Sequence, residues 1–257
     1  MRTLRLVGVA WWLQLKMRSR SAFDGLLSLL YPGFFATTIF MMFKQGDAAG
    51  PALLSAAVGS SAMGIWSAVS TTAAFALQME RRQGTLELLV LAPQPFALLL
   101  VPLTLSMATI GAYSMIATLL WGRLAFGIHL TIADPLGFLV AVVVTVFAIG
   151  MLGMLIAISS IRYRFAWALG SAIEMPVWLI CGFLVAVSDL PAWVRPLSAV
   201  LSPTWGVAAM RAAANGQSPW ADLGWCVLTA ASYGLVAMFV SRWMVHSARA
   251  HATLALS

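Results

Sequence analysis

Six apolar stretches, each about as long as a bilayer is thick, decide what this chain can fold into. They run over 24–43, 52–77, 97–120, 135–159, 167–187 and 222–243. A helix rises about 1.5 Å per residue, so about 20 apolar residues cross a hydrocarbon core of ~30 Å. The stretches at 52–77 and 135–159 exceed that minimum and leave room for tilt. No alternating segments of about ten residues recur, which favours helices over a barrel. Charged residues make up 9% of the chain and hydrophobic ones 61%, against about 25% charged in a soluble domain. Lipid must therefore be the solvent for most of the surface. The expected fold is all-α and integral to the membrane, one transmembrane domain over 1–257. The first stretch is too long for a signal h-region and no small-residue cleavage site follows it, so it is expected to stay as an anchor.

The net charge of +7 lies between the apolar runs, which makes it a topology signal rather than a sign of nucleic acid. One side collects Arg2, Arg5, Lys16, Arg18, Arg20, Arg81, Arg82, Arg162, Arg164, Arg242 and Arg249; the other collects Lys44, Arg123, Arg195 and Arg211. By the positive-inside rule both termini are cytoplasmic, and the basic side attracts anionic membrane lipid. Within 1–23, Leu4, Val7, Trp11 and Leu15 follow helical spacing, bordered by basic residues and with Trp12 alongside. That pattern predicts an interfacial helix on the cytoplasmic leaflet; a frayed basic tail is the alternative. In the second span Ala56, Ser60, Gly64 and Ala68 form a small-residue stripe, which suits close packing inside the chain or, alternatively, a subunit interface.

Two segments are not spans. In 78–95, Thr85 suits an N-cap, Glu87 the positive first turn, and Pro93 and Pro95 a stop, which predicts a short leucine-rich cytoplasmic helix in need of a partner. In 188–220, prolines and polar residues break an otherwise apolar run. Two short helices at or dipping into the outer interface are expected, anchored by Trp193, Trp205 and Trp220. Pro203 marks a helix start and Asn215-Gly216 a stop.

Several chemistries have no residues to carry them. Neither Lys16 nor Lys44 follows a glycine, so no phosphate-cradling P-loop is present, and no metalloprotease, Cys-x-x-Cys or nucleophile-elbow motif occurs. His129, His246 and His251 are scattered. Cys181 and Cys226 lie in apolar runs and read as buried free thiols, with a bridge near the outer leaflet as the alternative. Glu174 stands inside the fifth span, just before Pro176. A charge at the centre of a membrane costs about 3 kcal/mol, so such an acid is a candidate for substrate contact or gating; a hydrogen-bonded packing glutamate is the other reading.

At the two non-spanning segments the sequence resembles the ABC-2 family of transporter permeases. Glu80, Arg81, Gly84, Thr85, Leu86, Glu87, Leu89 and Pro93 match the family's stretch after span two. Leu190, Pro191, Trp193, Pro203, Thr204 and Arg211 match its outer segment. Ser202 replaces the usual asparagine, and Leu99 and Leu100 stand near where a glycine-lysine pair is usual. The resemblance implies a permease pair, identical or related, and two separate ATPase subunits that bind ATP and Mg, while this chain binds no cofactor and catalyses nothing itself. It further implies that Glu80, Arg81, Arg82, Gly84, Thr85, Leu86 and Glu87 belong to the ATPase-coupling surface. The interfacial helix braces that surface, the outer segment caps the exit, and transport is outward across the inner membrane of a bacterium.

For the substrate path, Phe35, Trp66 and Trp178 join Glu174 as candidates. Phe34, Phe40, Met41 and Met63 are further apolar residues that could line it; plain packing is the alternative for all of these. A hydrophobic drug- or antibiotic-like molecule is the favoured cargo, a glycolipid or polysaccharide the second. An ion-coupled secondary transporter would show inverted repeats and several intramembrane charges, whereas only Glu174 fits. No paired acids or nucleophile–base arrangement supports a membrane enzyme, and a scaffold stays open.

Overall fold

The structure, a computed structural model, describes residues 2–18, 22–45, 50–82, 84, 96–162 and 166–251. Its helices are α1 (Arg2–Arg18), α2 (Ala22–Gln45), α3 (Gly50–Arg82), α4 (Phe96–Phe126), α5 (Pro135–Arg162), α6 (Ala166–Ile180), α7 (Arg195–Val200), α8 (Ser202–Ala214) and α9 (Trp220–His251), with a 3-10 turn at Val187–Asp189. No strand occurs among the described residues. Four helical segments there are long and apolar enough to cross a membrane: Ala52–Ser70, Leu98–Phe126, Pro135–Ile158 and Trp220–Trp243.

Local chemistry sets the helix ends. Asp134 accepts the Gly137 N–H at 2.9 Å, and Pro135 opens α5 where an N–H would have no partner. At the end of α8, Gly216 adopts a φ of +74°; its N–H donates to the Ala213 carbonyl, and that of Gln217 donates to Ala212. This is a Schellman stop at the Asn215-Gly216 pair. Three helix ends also come together. The N–H groups of Ala133 and Asp134, before α5, donate to the carbonyls of Ala214 and Ala213 at the end of α8. The α5 start, the α8 end and the adjoining α9 start therefore share one end of the bundle.

The central element is α3, which packs against α2, α4, α5, α6 and α8. Its small-residue stripe is used inside the chain: a Cβ on Gly111 of α4 would stand 2.6 Å from the Ile65 Cα and 3.2 Å from both the Gly64 carbonyl oxygen and the Ala68 Cβ. Buried hydroxyls on these helices largely satisfy themselves. Those of Ser60, Ser61, Ser106 and Thr145 donate to carbonyls three or four residues back. The α3–α4 seam thus depends on close backbone approach rather than on polar cross-links.

Within the segment 1–23, α1 covers Arg2–Arg18 and runs beside α4, where the Trp11 indole N–H donates to the Thr109 hydroxyl at 3.2 Å. The expected apolar stripe does face inward, with Leu15 buried and Val7 and Trp11 half-buried. A second apolar stripe of Leu6, Val9, Leu13 and Met17 is exposed. One sequence expectation changes, at α6, which stops at Ile180 instead of continuing to 187.

Gly111→Ala is expected to destabilise the chain by about 1–3 kcal/mol, because the added methyl meets backbone that cannot move aside. Gly150→Ala, whose nearest neighbour would lie at 3.5 Å, should be neutral or stabilising by up to about 1 kcal/mol through helix propensity. Thermal unfolding of the two variants in detergent compares them directly; equal melting would mean that the α3–α4 seam is not tightly packed.

Candidate functional site

A polar centre forms where α2, α3 and α6 meet. Glu174 and Trp178 are four residues apart on α6 and so share a face. Glu174 is 5% exposed, and the Ser67 hydroxyl of α3 donates to its Oε1. Phe35 of α2 meets Trp178 edge-on, with ring centroids 4.8 Å apart. Trp66, the neighbour of Ser67, is fully buried. The structure thus joins Phe35 to Trp178, and Glu174 to the residue beside Trp66. No basic side chain pairs with Glu174 among the described residues. Ser67 is the member that the sequence does not single out, because α3 carries several serines and nothing local distinguishes this one.

The outer-segment residues divide into two groups. Pro191 and Trp193 are exposed and Leu190 is half-buried, while Pro203 and Thr204 are buried inside the bundle. The reason is the course of α8, which runs antiparallel to α5. Its Ala213 and Ala214 carbonyls lie at the α5 start, Gly206 packs against Thr145, and the Ser202 hydroxyl donates to the Ala148 carbonyl at 3.4 Å. Ala148 is about 20 Å along α5 from Pro135. From α9, the Tyr233 hydroxyl donates to the Val200 carbonyl, and the Cys226 thiol donates to the Ser202 carbonyl at 3.6 Å. The buried helix α8 therefore packs between α5 and α9 from its first residue, whereas α7 leaves all but Ser198 of its side chains exposed. Trp205 stacks on Trp225 with centroids 5.8 Å apart, whereas Trp193 and Trp220 are exposed.

The early end of α6 has a local cause. Gly182 adopts a φ of +77°; its N–H donates to the Leu179 carbonyl and that of Phe183 donates to Trp178. That is a second Schellman stop. It leaves the Gly182 and Phe183 carbonyls to find partners, and Arg211 of α8 supplies them. Its Nη1 donates to Gly182 at 2.6 Å, its Nη2 to Phe183 at 3.0 Å, and its Nε to the Ser55 carbonyl of α3 at 3.2 Å. A Cβ on Gly59 would stand 1.9 Å from the Phe183 carbonyl oxygen, so this meeting point exists because residue 59 is glycine. Ser55 and Gly59 also go unmarked in the sequence: their partners come from segments more than a hundred residues away.

The coupling candidates divide as well. Glu80, Arg81 and Arg82 form the last turn of α3 rather than part of a separate loop helix, and their side chains lie outside the described residues. Gly84 is an exposed turn residue with a φ of +71°. Thr85, Leu86 and Glu87 lie outside the described residues. Cys181 and Cys226 are both buried free thiols.

Ser67→Ala combined with Glu174→Ala in a double-mutant cycle is expected to give a coupling of about 0.6 kcal/mol, and up to ~1.7, the range for interhelical hydrogen bonds in membranes. Detergent unfolding midpoints supply the energies. Strict additivity would show that the Ser67–Glu174 contact contributes nothing.

A search of the curated proteins finds no match. The family model for the ABC-2 type transporter matches residues 5–214, from α1 to the end of α8. That span includes the polar centre, the charged end of α3 and the whole segment that Arg211 holds. In this family the matched domain is the membrane component and not the ATPase, which agrees with a chain that has no P-loop lysine. With most of its length matched, the chain belongs to the ABC-2 type transporter family as a multi-pass membrane component of an ABC transporter.

Proposed function

We propose that the chain is the permease subunit of an ATP-driven exporter that moves a hydrophobic, drug- or antibiotic-like molecule outward across the cytoplasmic membrane of a bacterium. Two permeases, identical or related, line the path, and two separate ATPase subunits bind ATP and Mg and dock on the cytoplasmic face. The chain crosses six times, with both termini cytoplasmic: through α2, α3, α4, α5, α6 with the segment after it, and α9. The positive-inside count and the meeting of the α5, α8 and α9 ends both support this orientation. The last turn of α3 and the residues up to Glu87 receive the ATPase stroke. The outer segment closes the exit.

The observation that carries the cargo reading is the junction of α2, α3 and α6. An acid, a hydroxyl and an aromatic pair meet there between apolar helices of a transporter. Aromatic faces suit an apolar guest, and one acid with one hydroxyl can orient it. Glycans, by contrast, need many hydrogen-bonding groups along their path, and the described helices mostly turn their hydroxyls back onto their own carbonyls.

In proteoliposomes holding the permease with its ATPase, a hydrophobic substrate is expected to stimulate ATP hydrolysis. Glu174→Gln should lower transport about tenfold, equivalent to ~1.4 kcal/mol, with an unchanged melting temperature, since an amide oxygen still accepts from Ser67. Undiminished transport would remove Glu174 from the path. Transport that survives an inactive ATPase but stops with a protonophore would assign ion coupling instead. Glu80→Lys should abolish substrate stimulation while basal ATP hydrolysis by the ATPase subunits persists, read from the same assay with and without substrate.

A further inference from the structure

The short helix α6 buries Val177 and Trp178 in the apolar core and is also tied to the bundle by polar links at two places. It packs mainly on α3, and Ser67 bonds it there through Glu174. At its far end the Ser198 hydroxyl donates to the Ile180 carbonyl at 2.6 Å, and Arg211 donates to the Gly182 and Phe183 carbonyls while also gripping the Ser55 carbonyl. No carboxylate pairs with Arg211 among the described residues. The counter-charge is the partial negative end of α6 itself, so a fixed cation is held by backbone oxygens at a helix C-terminus. Only a planar guanidinium presents donors in a fork able to reach separate carbonyls on two elements at once. Gly59 completes the seat: a Cβ there would meet the Phe183 carbonyl oxygen at 1.9 Å and the Arg211 Nη2 at 2.5 Å. Cys181, the residue before Gly182, carries a buried free thiol.

We propose that Arg211 and Gly59 form a latch that keeps the outer end of the path shut, and that its release is a step of transport. The contacts of the Arg211 guanidinium are hydrogen bonds to backbone carbonyls. Once water enters from the outside, water can take over both the guanidinium and the carbonyls, so opening exchanges partners instead of leaving them unmade. The freed α6 end then separates from α3 and α8 where the chain is already non-helical. Arg211 is a positioning residue in this scheme and touches no cargo. The inference rests on the proposed orientation, which puts this end outside.

Cys181 is a built-in reporter. The test uses the permease with its ATPase, carrying Cys226→Ser so that one thiol remains, and a membrane-impermeant maleimide applied to right-side-out and to inside-out vesicles. At rest Cys181 should be protected. Arg211→Gln and Gly59→Ala should each raise its outer-side labelling rate about tenfold, and Arg211→Lys should fall between these and the parent. ATP turnover in the parent should raise labelling toward the Arg211→Gln rate. A variant that merely fails to fold labels equally from both sides and has no melting transition; the graded order of Arg211→Lys and Gly59→Ala then carries the test. Outer-side rates in all variants equal to the parent's would overturn the latch and leave the orientation standing. Labelling from inside-out vesicles alone would overturn the orientation and the latch together.

Discussion

The structure depends on a constraint that lipid imposes on backbone: every N–H and C=O inside the bundle needs a partner within the protein. Continuous helices meet it unaided. The chain departs from helix at 181–186, beyond a helix of 15 residues, about 22 Å long and so too short to cross. Two carbonyls of this stretch, those of Gly182 and Phe183, become acceptors for Arg211, and the glycine cap handles the amides. The buried course of α8 follows from the same need, since its arginine must reach the end of α6. Gly59, Gly206 and the buried small residues of α8 let that reach happen by removing side-chain bulk along the way.

Along α3 the same logic links three sites. Ser55 and Gly59 seat the guanidinium, Ser67 holds Glu174, and Glu80 to Arg82 form the far turn of one unbroken helix. At 33 residues this helix is about 50 Å long. In the proposed cycle it is the rod that carries a push at its charged end to the latch at the other. α6 and the chain just after it are thereby tied to α3 at two heights, Ser67 directly and Ser55 through Arg211, about 18 Å apart along the helix.

The fold was legible in the sequence wherever periodicity or a terminal signal was local. The starts at Pro135 and Pro203 and the Asn215-Gly216 stop needed only neighbouring residues, and the Gly64–Ala68 stripe found its use against Gly111. The end of α6 was misread because an apolar run cannot tell helix from buried non-helical chain. Gly182 was the available clue, and only with Phe183 turned inward does it act as a stop. On α1, residues 6, 9, 13 and 17 are as apolar as the stripe of Val7, Trp11 and Leu15, and it is the latter that meets protein, because α4 packs against it.

Of the candidate site, Glu174 and Arg211 were visible because charge among apolar residues is conspicuous wherever it stands. Their partners Ser67, Ser55 and Gly59 are small and common, and nothing in their own neighbourhood marks them. By itself, then, the sequence determined a many-helix membrane protein of the ABC-2 type without its own phosphate-binding loop, since apolar length, basic asymmetry and motif residues are properties of the chain alone. Only the tertiary structure decided that the helix of the fifth apolar run stops short, that α8 packs between α5 and α9, and that one guanidinium ties three segments together. Those outcomes turn on which backbone carbonyls are left unpaired, and that is known only once the helices have packed.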